Sequence, residues 1–324
     1  MATYKDIKGT SIEVVSSDPS NPVLGQIWYN TTSQTLKGLE FGAAAWATGG
    51  NLGTGRFDIA GAGTQTAALG FGGQPGTGVT NATEEYDGSA WTGGGNLNTA
   101  RLSLYGVGTQ TAALGFGGGP PDTTATEEYN GSAWTNGGSL SNAPARQNPG
   151  GAGTQTAGLA FGGEGPGGKM NQTEEYNGTA WTNGGTLTNA RYEISGAGTQ
   201  TAGLAFGGNP EPTSTEEYNG TAWTGGGNFP GRIRMGSAGL QTAAIGFGGD
   251  LDPGTSALAN TYDGTSWSSI PSLNVARRYL AGASAGTTTA SLAMGGQTSP
   301  GNAVSAAVEE FTGAGPATVT ISGS

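Results

Sequence analysis

The feature that most constrains the fold is an internal repeat with a period of about 45 residues. A large apolar residue followed by two glycines recurs six times, and an arginine precedes each doublet. The six arginines are Arg56, Arg101, Arg146, Arg191, Arg232 and Arg277. Repeats of this length are typical of β-propeller blades, in which each copy is one small sheet that packs on its neighbours.

The local chemistry of one copy predicts four short strands. In the first copy, residues 57–63 and 67–72 form the first two strands, Thr83–Tyr86 the third, and Trp91 lies on the fourth. The Asp87-Gly88 step between the last two is a strong hairpin signal. Four antiparallel strands in each of six copies predict an all-β protein, a six-bladed β-propeller.

The third strand usually reads Glu-Glu-Tyr, and a tryptophan follows five residues after the aromatic residue. The first acid of each doublet is Glu84, Glu127, Glu174, Glu216 or Glu309, and Asn260 stands there in the fifth copy. The tryptophans are Trp91, Trp134, Trp181, Trp223 and Trp267.

These marks together resemble the kelch repeat. That repeat has an arginine before the first strand, a Gly-Gly ending the second, a Glu-x-Tyr third strand and a tryptophan on the fourth. The similarity covers residues 39–311, although this chain is richer in Gly, Thr and Asn. The resemblance implies a kelch-type propeller in which the arginines and the first acids are structural. An anion-binding ring built by the six arginines is the alternative.

The two ends of the repeat array predict how a ring would close. The sixth copy contains Glu309-Glu310-Phe311 but no tryptophan after it, whereas Leu39-Glu40-Phe41 and Trp46 form a half copy. We expect the strand around Trp46 to complete the last blade, because that joins two exposed sheet edges. The predicted domains are an extension, 1–38, and a propeller, 39–324. Residues 317–321 predict one more strand whose place stays open.

Residues 16–38 predict a β-hairpin, with strands at 26–30 and 35–37 around a polar turn. This stretch resembles a short module near the N-terminus of structural and fibre proteins of tailed phages, particularly marine ones. The resemblance implies a virion component, assembled in the host cytoplasm, whose extension docks on other virion proteins or forms a homo-oligomer.

Composition excludes several functions. The chain has no His and no Cys, so imidazole or thiolate metal sites and cysteine or histidine catalysis are absent. A net charge of −11 without a basic run argues against nucleic-acid binding, and no apolar stretch is long enough for membrane insertion.

Adjacent strand residues face opposite sides, so the Glu-Glu doublets are not catalytic pairs. We expect no enzyme activity, no cofactor and no metal, since Asp250 and Asp252 lack a third acid for calcium.

The loops between the second and third strands differ from copy to copy, and insertions on one face of a repeat fold are common binding sites. The candidate binding residues in these loops are Gln74, Pro120, Asp122, Glu164, Lys169, Glu211, Asp250 and Asp252. Drift in unconstrained loops is the alternative. The predicted function is a non-enzymatic phage structural or adhesion protein (a fibre, appendage or decoration subunit). Its loop face would meet a host-surface glycan or a neighbouring virion protein. A bacterial kelch-type lectin or protein-interaction module is the rival.

Overall fold

A computed structural model describes residues 12–141, 146–251 and 254–321. Its regular structure is all β, with strands numbered β1 to β32 along the chain. Within those ranges, no helix has the length and apolarity needed to cross a bilayer. Contacts divide the chain into a small unit, which runs up to Ala44 and resumes at Gly313, and a large unit, Ala45–Thr312.

The small unit is one four-stranded sheet. Its strands, in spatial order, are β1 (Glu13–Val15), β2 (Ile27–Asn30), β3 (Thr35–Gly42) and β32 (Gly315–Thr320). β2 and β3 form the antiparallel hairpin that the sequence predicts. The boundary predicted at residue 38 falls inside β3, because β32 pairs with β3 from Lys37 to Gly42. The C-terminal strand, whose partner the sequence did not predict, is therefore β32, an edge strand paired with β3.

One face of this sheet is organised by Asp18. Its carboxylate accepts hydrogen bonds from the buried indole of Trp28, from Asn30 and from the ammonium of Lys37, at 3.0, 2.7 and 2.7 Å. The bonds from Lys37, Trp28 and Asn30, in that order of effect, lower the pKa of Asp18 to about 2. These four side chains of residues 16–38 thus form a single polar cluster.

The large unit contains six four-stranded antiparallel sheets, an arrangement consistent with a β-propeller. The first sheet contains β5 (Ala60–Thr64), β6 (Ala67–Phe71), β7 (Thr83–Tyr86) and β8 (Trp91–Gly93). The second contains β9 (Tyr105–Thr109), β10 (Ala112–Phe116), β11 (Thr126–Tyr129) and β12 (Trp134–Asn136). The third contains β13 (Gly150–Gly153), β14 (Gly158–Phe161), β17 (Thr173–Tyr176) and β18 (Trp181–Asn183). A two-stranded ribbon, β15 (Glu164–Gly165) and β16 (Gly168–Lys169), extends the third repeat.

The fourth and fifth sheets comprise β19 (Ser195–Gly198), β20 (Gly203–Phe206), β21 (Thr215–Tyr218) and β22 (Trp223–Gly225); and β23 (Gly236–Leu240), β24 (Ala243–Phe247), β25 (Ala259–Tyr262) and β26 (Trp267–Ile270). The sixth joins β27 (Ala281–Gly282), β28 (Ala290–Met294), β31 (Val308–Thr312) and the early strand β4 (Ala45–Thr48), which places Trp46 opposite Phe311. A ribbon of β29 (Gln297–Thr298) and β30 (Ala303–Val304) leaves this repeat.

The first strand of each sheet packs against the first strand of the next, and β27 contacts β5. Glycine makes this approach possible. A Cβ atom on Gly61 would lie 2.3 Å from the carbonyl oxygen of Gly282, and one on Gly282 would lie 2.2 Å from that of Ser237. Side chains are therefore excluded where these backbones meet, and the apolar core lies further out, between sheets.

Candidate functional site

The six repeat arginines are fully buried, and each is bonded within its own repeat. Five form ion pairs of 2.7–2.9 Å: Arg56–Glu84, Arg101–Glu127, Arg146–Glu174, Arg191–Glu216 and Arg277–Glu309. Arg232 instead donates to the Asn260 amide oxygen at 2.5 Å. Burial with no acid partner lowers the pKa of Arg232 to about 10. Their burial and bonding leave no exposed cationic ring for an anion.

The second acid of each doublet joins neighbouring repeats, a role that the sequence analysis missed. Tyrosine hydroxyls donate to these carboxylates at 2.5–2.6 Å in the pairs Tyr129–Glu85, Tyr176–Glu128, Tyr218–Glu175, Tyr262–Glu217 and Tyr86–Glu310. Burial and the accepting carboxylate raise the pKa of each of these tyrosines to about 12. The Tyr86–Glu310 bond links the first repeat to the sixth.

The tryptophans also join repeats. Trp134, Trp181, Trp223 and Trp267 donate to a threonine hydroxyl of the preceding repeat at 2.8–3.0 Å. Trp91 and Trp46 donate to the carbonyl oxygens of Gly50 and Pro271, each at 2.9 Å. Their indoles pack in the core, so these residues hold the sheets together.

A different set of residues lines a cavity of about 90 Å³ in the large unit. Each lies two positions after a repeat arginine, and each has a left-handed backbone with φ between 48° and 60°. We call them the axial cup residues: Asp58, Ser103, Asn148, Glu193, Arg234 and Tyr279. Left-handed backbone is unfavourable for residues other than glycine, so six occurrences at one repeat position demand a structural cause.

Six backbone hydrogen bonds supply that cause. The amide N–H of each cup residue donates to the carbonyl oxygen of the cup residue in the preceding repeat, over 2.8–3.4 Å. The series starts where Ser103 donates to Asp58 and ends where Asp58 donates to Tyr279, at 3.0 Å. The left-handed conformation turns these groups around the ring and leaves the side chains beside the cavity.

The ionisable acids and the arginine of the cup are Asp58, Glu193 and Arg234, of which the last two are neighbours in the series of backbone bonds. The Arg234 guanidinium donates to Glu193 and to Asp250, both at 2.7 Å, and Arg278 donates to Asp250 at 3.0 Å. Burial, with Glu193 as a second cause, raises the pKa of Asp58 to about 7. Burial also raises the pKa of Glu193. Carboxyl groups with raised pKa values beside a cavity are typical of functional sites.

Two buried oxygen atoms of this cluster lack partners among the described residues. They are Oε2 of Glu193 and Oδ1 of Asp250, on residues that are each only 8% exposed. The Ser284 hydroxyl, which lines the cavity, is in the same condition. An unpaired buried carboxylate oxygen is costly, so these atoms are open acceptors for a ligand or for water.

The residue after each arginine forms a half-buried rim around the cup: Phe57, Leu102, Gln147, Tyr192, Ile233 and Arg278. Each rim residue pairs through its backbone with the first residue after a Gly-Gly doublet. Three of the predicted loop residues occupy that position, namely Gln74, Glu164 and Asp250. The variable loops therefore begin at the rim of the cup.

The other predicted binding residues lie farther along the loops. Asp122 accepts a hydrogen bond from Gln147 on the rim. Lys169 is exposed and pairs with Glu164 across the β15–β16 ribbon, while Pro120 and Glu211 are exposed without such a link to the rim in the described structure. Asp252 lies outside the described residues. Within those residues, no group of three or more acids, histidines or cysteines is placed to hold a metal ion.

The sequence also contains a pattern that indicates the cup, and it lies outside the variable loops from which the binding face was predicted. The two positions after each arginine read Phe-Asp, Leu-Ser, Gln-Asn, Tyr-Glu, Ile-Arg and Arg-Tyr, while the flanking arginine and Gly-Gly positions stay nearly constant. Variation at two positions that directly follow a constant arginine, in addition to the variation of the loops, indicates a site rather than architecture.

No protein-family model matches this chain, and no curated protein matches it. The similarities to kelch repeats and to phage structural proteins therefore stay predictions.

Proposed function

We propose that the six sheets are the blades of a closed kelch-type β-propeller and that β4 completes the last blade. Three observations support this. β4 pairs with β31, so the sixth sheet takes one strand from each end of the array. The amide of Gly296 donates to the carbonyl oxygen of Arg56 at 2.7 Å, and the other doublets make the same bond to the next repeat. The ring of cup residues returns from Tyr279 to Asp58.

The function we propose is a non-enzymatic structural or adhesion protein of a tailed bacteriophage, carried in the virion as a fibre, appendage or decoration subunit. The observation that carries the binding role is the cup itself, six chemically different side chains held in strained backbone around a polar cavity. The buried Oε2 of Glu193 and Oδ1 of Asp250, which lack partners in the described structure, support this role, because unpaired buried acceptors are costly. The cup and the loops that begin at its rim form the surface offered to a host glycan or to another virion protein.

Attachment to the virion is assigned to the small unit. One face of its sheet carries a row of apolar side chains across four strands, formed by Val14, Tyr29, Leu36 and Ile321. Val14 is 66% exposed and Tyr29 is 36% exposed. A sheet with one bare apolar face needs a covering partner, which supports docking on another virion protein or on a second copy of this chain.

Mass spectrometry of purified virions, with labelled antibody to locate the protein on the particle, tests the proposal. The expected result is a stoichiometric component on the outer surface of the tail, neck or capsid. Purified protein should also compete with phage for adsorption to host cells. A gene set among bacterial metabolic or secretion genes, with no phage structural genes beside it, would favour the bacterial lectin or interaction module instead. Release of sugar from host polysaccharide would refute a non-enzymatic role.

A further inference from the structure

We propose that the axial cup binds one uncharged saccharide residue, held by its hydroxyl groups against Glu193, Asn148 and Ser103. This inference rests on the proposed adhesion function and assigns its ligand to a defined pocket rather than to the loops at large.

The cup has open carboxylate acceptors. Glu193 uses one carboxylate oxygen for Arg234 and leaves Oε2 buried without a partner in the described structure. Arg234 already donates to both Glu193 and Asp250, while the Ser284 hydroxyl and Nε of Arg278 also lack partners among the described residues. A ligand that completes the cup must therefore bring hydrogen-bond donors. A hydroxyl group donates and accepts, so it can also bond to Asn148 and Ser103.

Charge argues against an ionic ligand. An anion such as phosphate would face the carboxyl groups of Asp58 and Glu193, while the Arg234 charge is held by two acids. A cation would lie beside Arg234, which already balances the adjoining acids. Asp58 adds a group suited to a hydroxyl, because with a pKa of about 7 it both donates and accepts near neutral pH.

The lining of the cavity supplies the apolar contact that a sugar ring requires. Tyr279, Leu104 and Ile194 line it, and the Tyr279 ring lies 6.0 Å from that of Phe57. Aromatic and aliphatic groups around a small set of polar side chains form the usual lining of a small-molecule pocket. A cavity of about 90 Å³ provides space for part of a single ring, so the cup suits a terminal or branching residue.

Ligand-detected NMR and calorimetry with a panel of methyl glycosides of neutral hexoses and N-acetylhexosamines test this proposal. Inorganic phosphate and methylammonium chloride serve as ionic probes. We expect saturable binding of at least one glycoside in the millimolar range and no binding of either ion. Glu193→Gln and Asn148→Gly should each weaken binding by about tenfold or more, since each removes a buried polar contact.

Glu13→Gln is the matched control, because it makes the same chemical change on an exposed residue of the small unit. Glu211→Gln tests the exposed loops as the alternative binding site. A single cooperative thermal transition for Glu193→Gln and for Asn148→Gly shows that both variants fold, and Asn148→Gly should be no less stable than the wild type, because glycine tolerates φ 48°. Glycoside binding that survives both cup variants but falls in Glu211→Gln overturns the cup and leaves adhesion intact. Binding of phosphate or methylammonium overturns the assignment of an uncharged saccharide. Failure to bind any glycoside, in a protein that still blocks phage adsorption, also overturns that assignment but leaves the adhesion function standing. Failure to find the protein in virions refutes the proposed function separately.

Discussion

Replacing Asn260 with glutamate tests the account of the buried arginines. In five repeats the acid uses one oxygen for arginine and the other for a backbone N–H, as Glu84 does with Arg56 at 2.7 Å and with the Gly53 amide at 2.6 Å. The same second bond comes from Asn98, Ser141, Thr188 and Asn274. In the fifth repeat the residue at this point is Pro230, which has no N–H.

Asn260 in place of the acid and Pro230 in place of a residue with a backbone N–H are therefore matched: the repeat that lacks the second donor also lacks the second acceptor oxygen. A glutamate at position 260 would give Arg232 a charged acceptor, worth about 1 kcal/mol more than the amide. Its second oxygen would meet Pro230 and stay unpaired, at a cost of about 1–3 kcal/mol. The lowered pKa of Arg232, about 10, corresponds to a cost of about 3 kcal/mol for keeping its guanidinium charged in the folded protein. A new acid at position 260 cannot stabilise the protein by more than this amount.

We expect Asn260→Glu alone to leave the free energy of unfolding unchanged or lower it by about 1 kcal/mol. The double variant Pro230→Asn with Asn260→Glu should gain about 1–2 kcal/mol over the wild type. Urea unfolding of the four proteins of this cycle measures the coupling. Glu127→Asn, which leaves Arg101 a neutral acceptor and takes the second acceptor from the Asn98 amide, should cost about 1–3 kcal/mol. Additive effects, or a single Asn260→Glu variant as stable as the double, would refute this reasoning.

Three further predictions concern other parts of the molecule. The pKa of Asp58 is raised to about 7 in the folded protein, so the free energy of unfolding should fall as pH rises from about 4 to about 7, by at most about 4 kcal/mol. Asp58→Asn should flatten this pH dependence, which urea unfolding at several pH values measures. Tyr86→Phe should lower stability by about 1–2 kcal/mol, as much as Tyr129→Phe does, because both remove the same bond between repeats; no cost for Tyr86→Phe alone would indicate an open array. Lysine at Val14 and Tyr29 should reduce the mass in solution if the apolar face of the small unit joins copies. An unchanged mass with lost virion binding would assign that face to another virion protein, and retention of both would refute a docking role for it.

The sequence predicts what is local. The Asp87-Gly88 step and the Thr83–Tyr86 strand follow from turn chemistry and alternation, and the structure has both, with β7 paired to β8. The first strand begins at Ala60 rather than at residue 57, because Asp58 adopts φ 49° and interrupts the extended backbone. That conformation depends on a bond to Tyr279, a partner that no local pattern reveals.

The candidate site was predictable only in part for the same reason. The variable loops indicate the correct neighbourhood, since Gln74, Glu164 and Asp250 pair with the rim. The cavity lies beside them, where residues more than 40 positions apart meet. In the sequence Asp250 is one of two loop acids that lack a third acid for calcium, and the structure pairs it with Arg234 and Arg278. Ion pairs between repeats of this kind arise from the packing of one repeat on the next and not from spacing along one strand.

Amide hydrogen exchange at Asp58 and Tyr279 tests most directly whether the six repeats close around the cup. A closed ring predicts that both amides are protected as strongly as the interior ones of Ser103 and Asn148, because Asp58 donates to Tyr279 at 3.0 Å. Rapid exchange at Asp58, with protection kept at Ser103 and Asn148, would contradict closure and with it the cup.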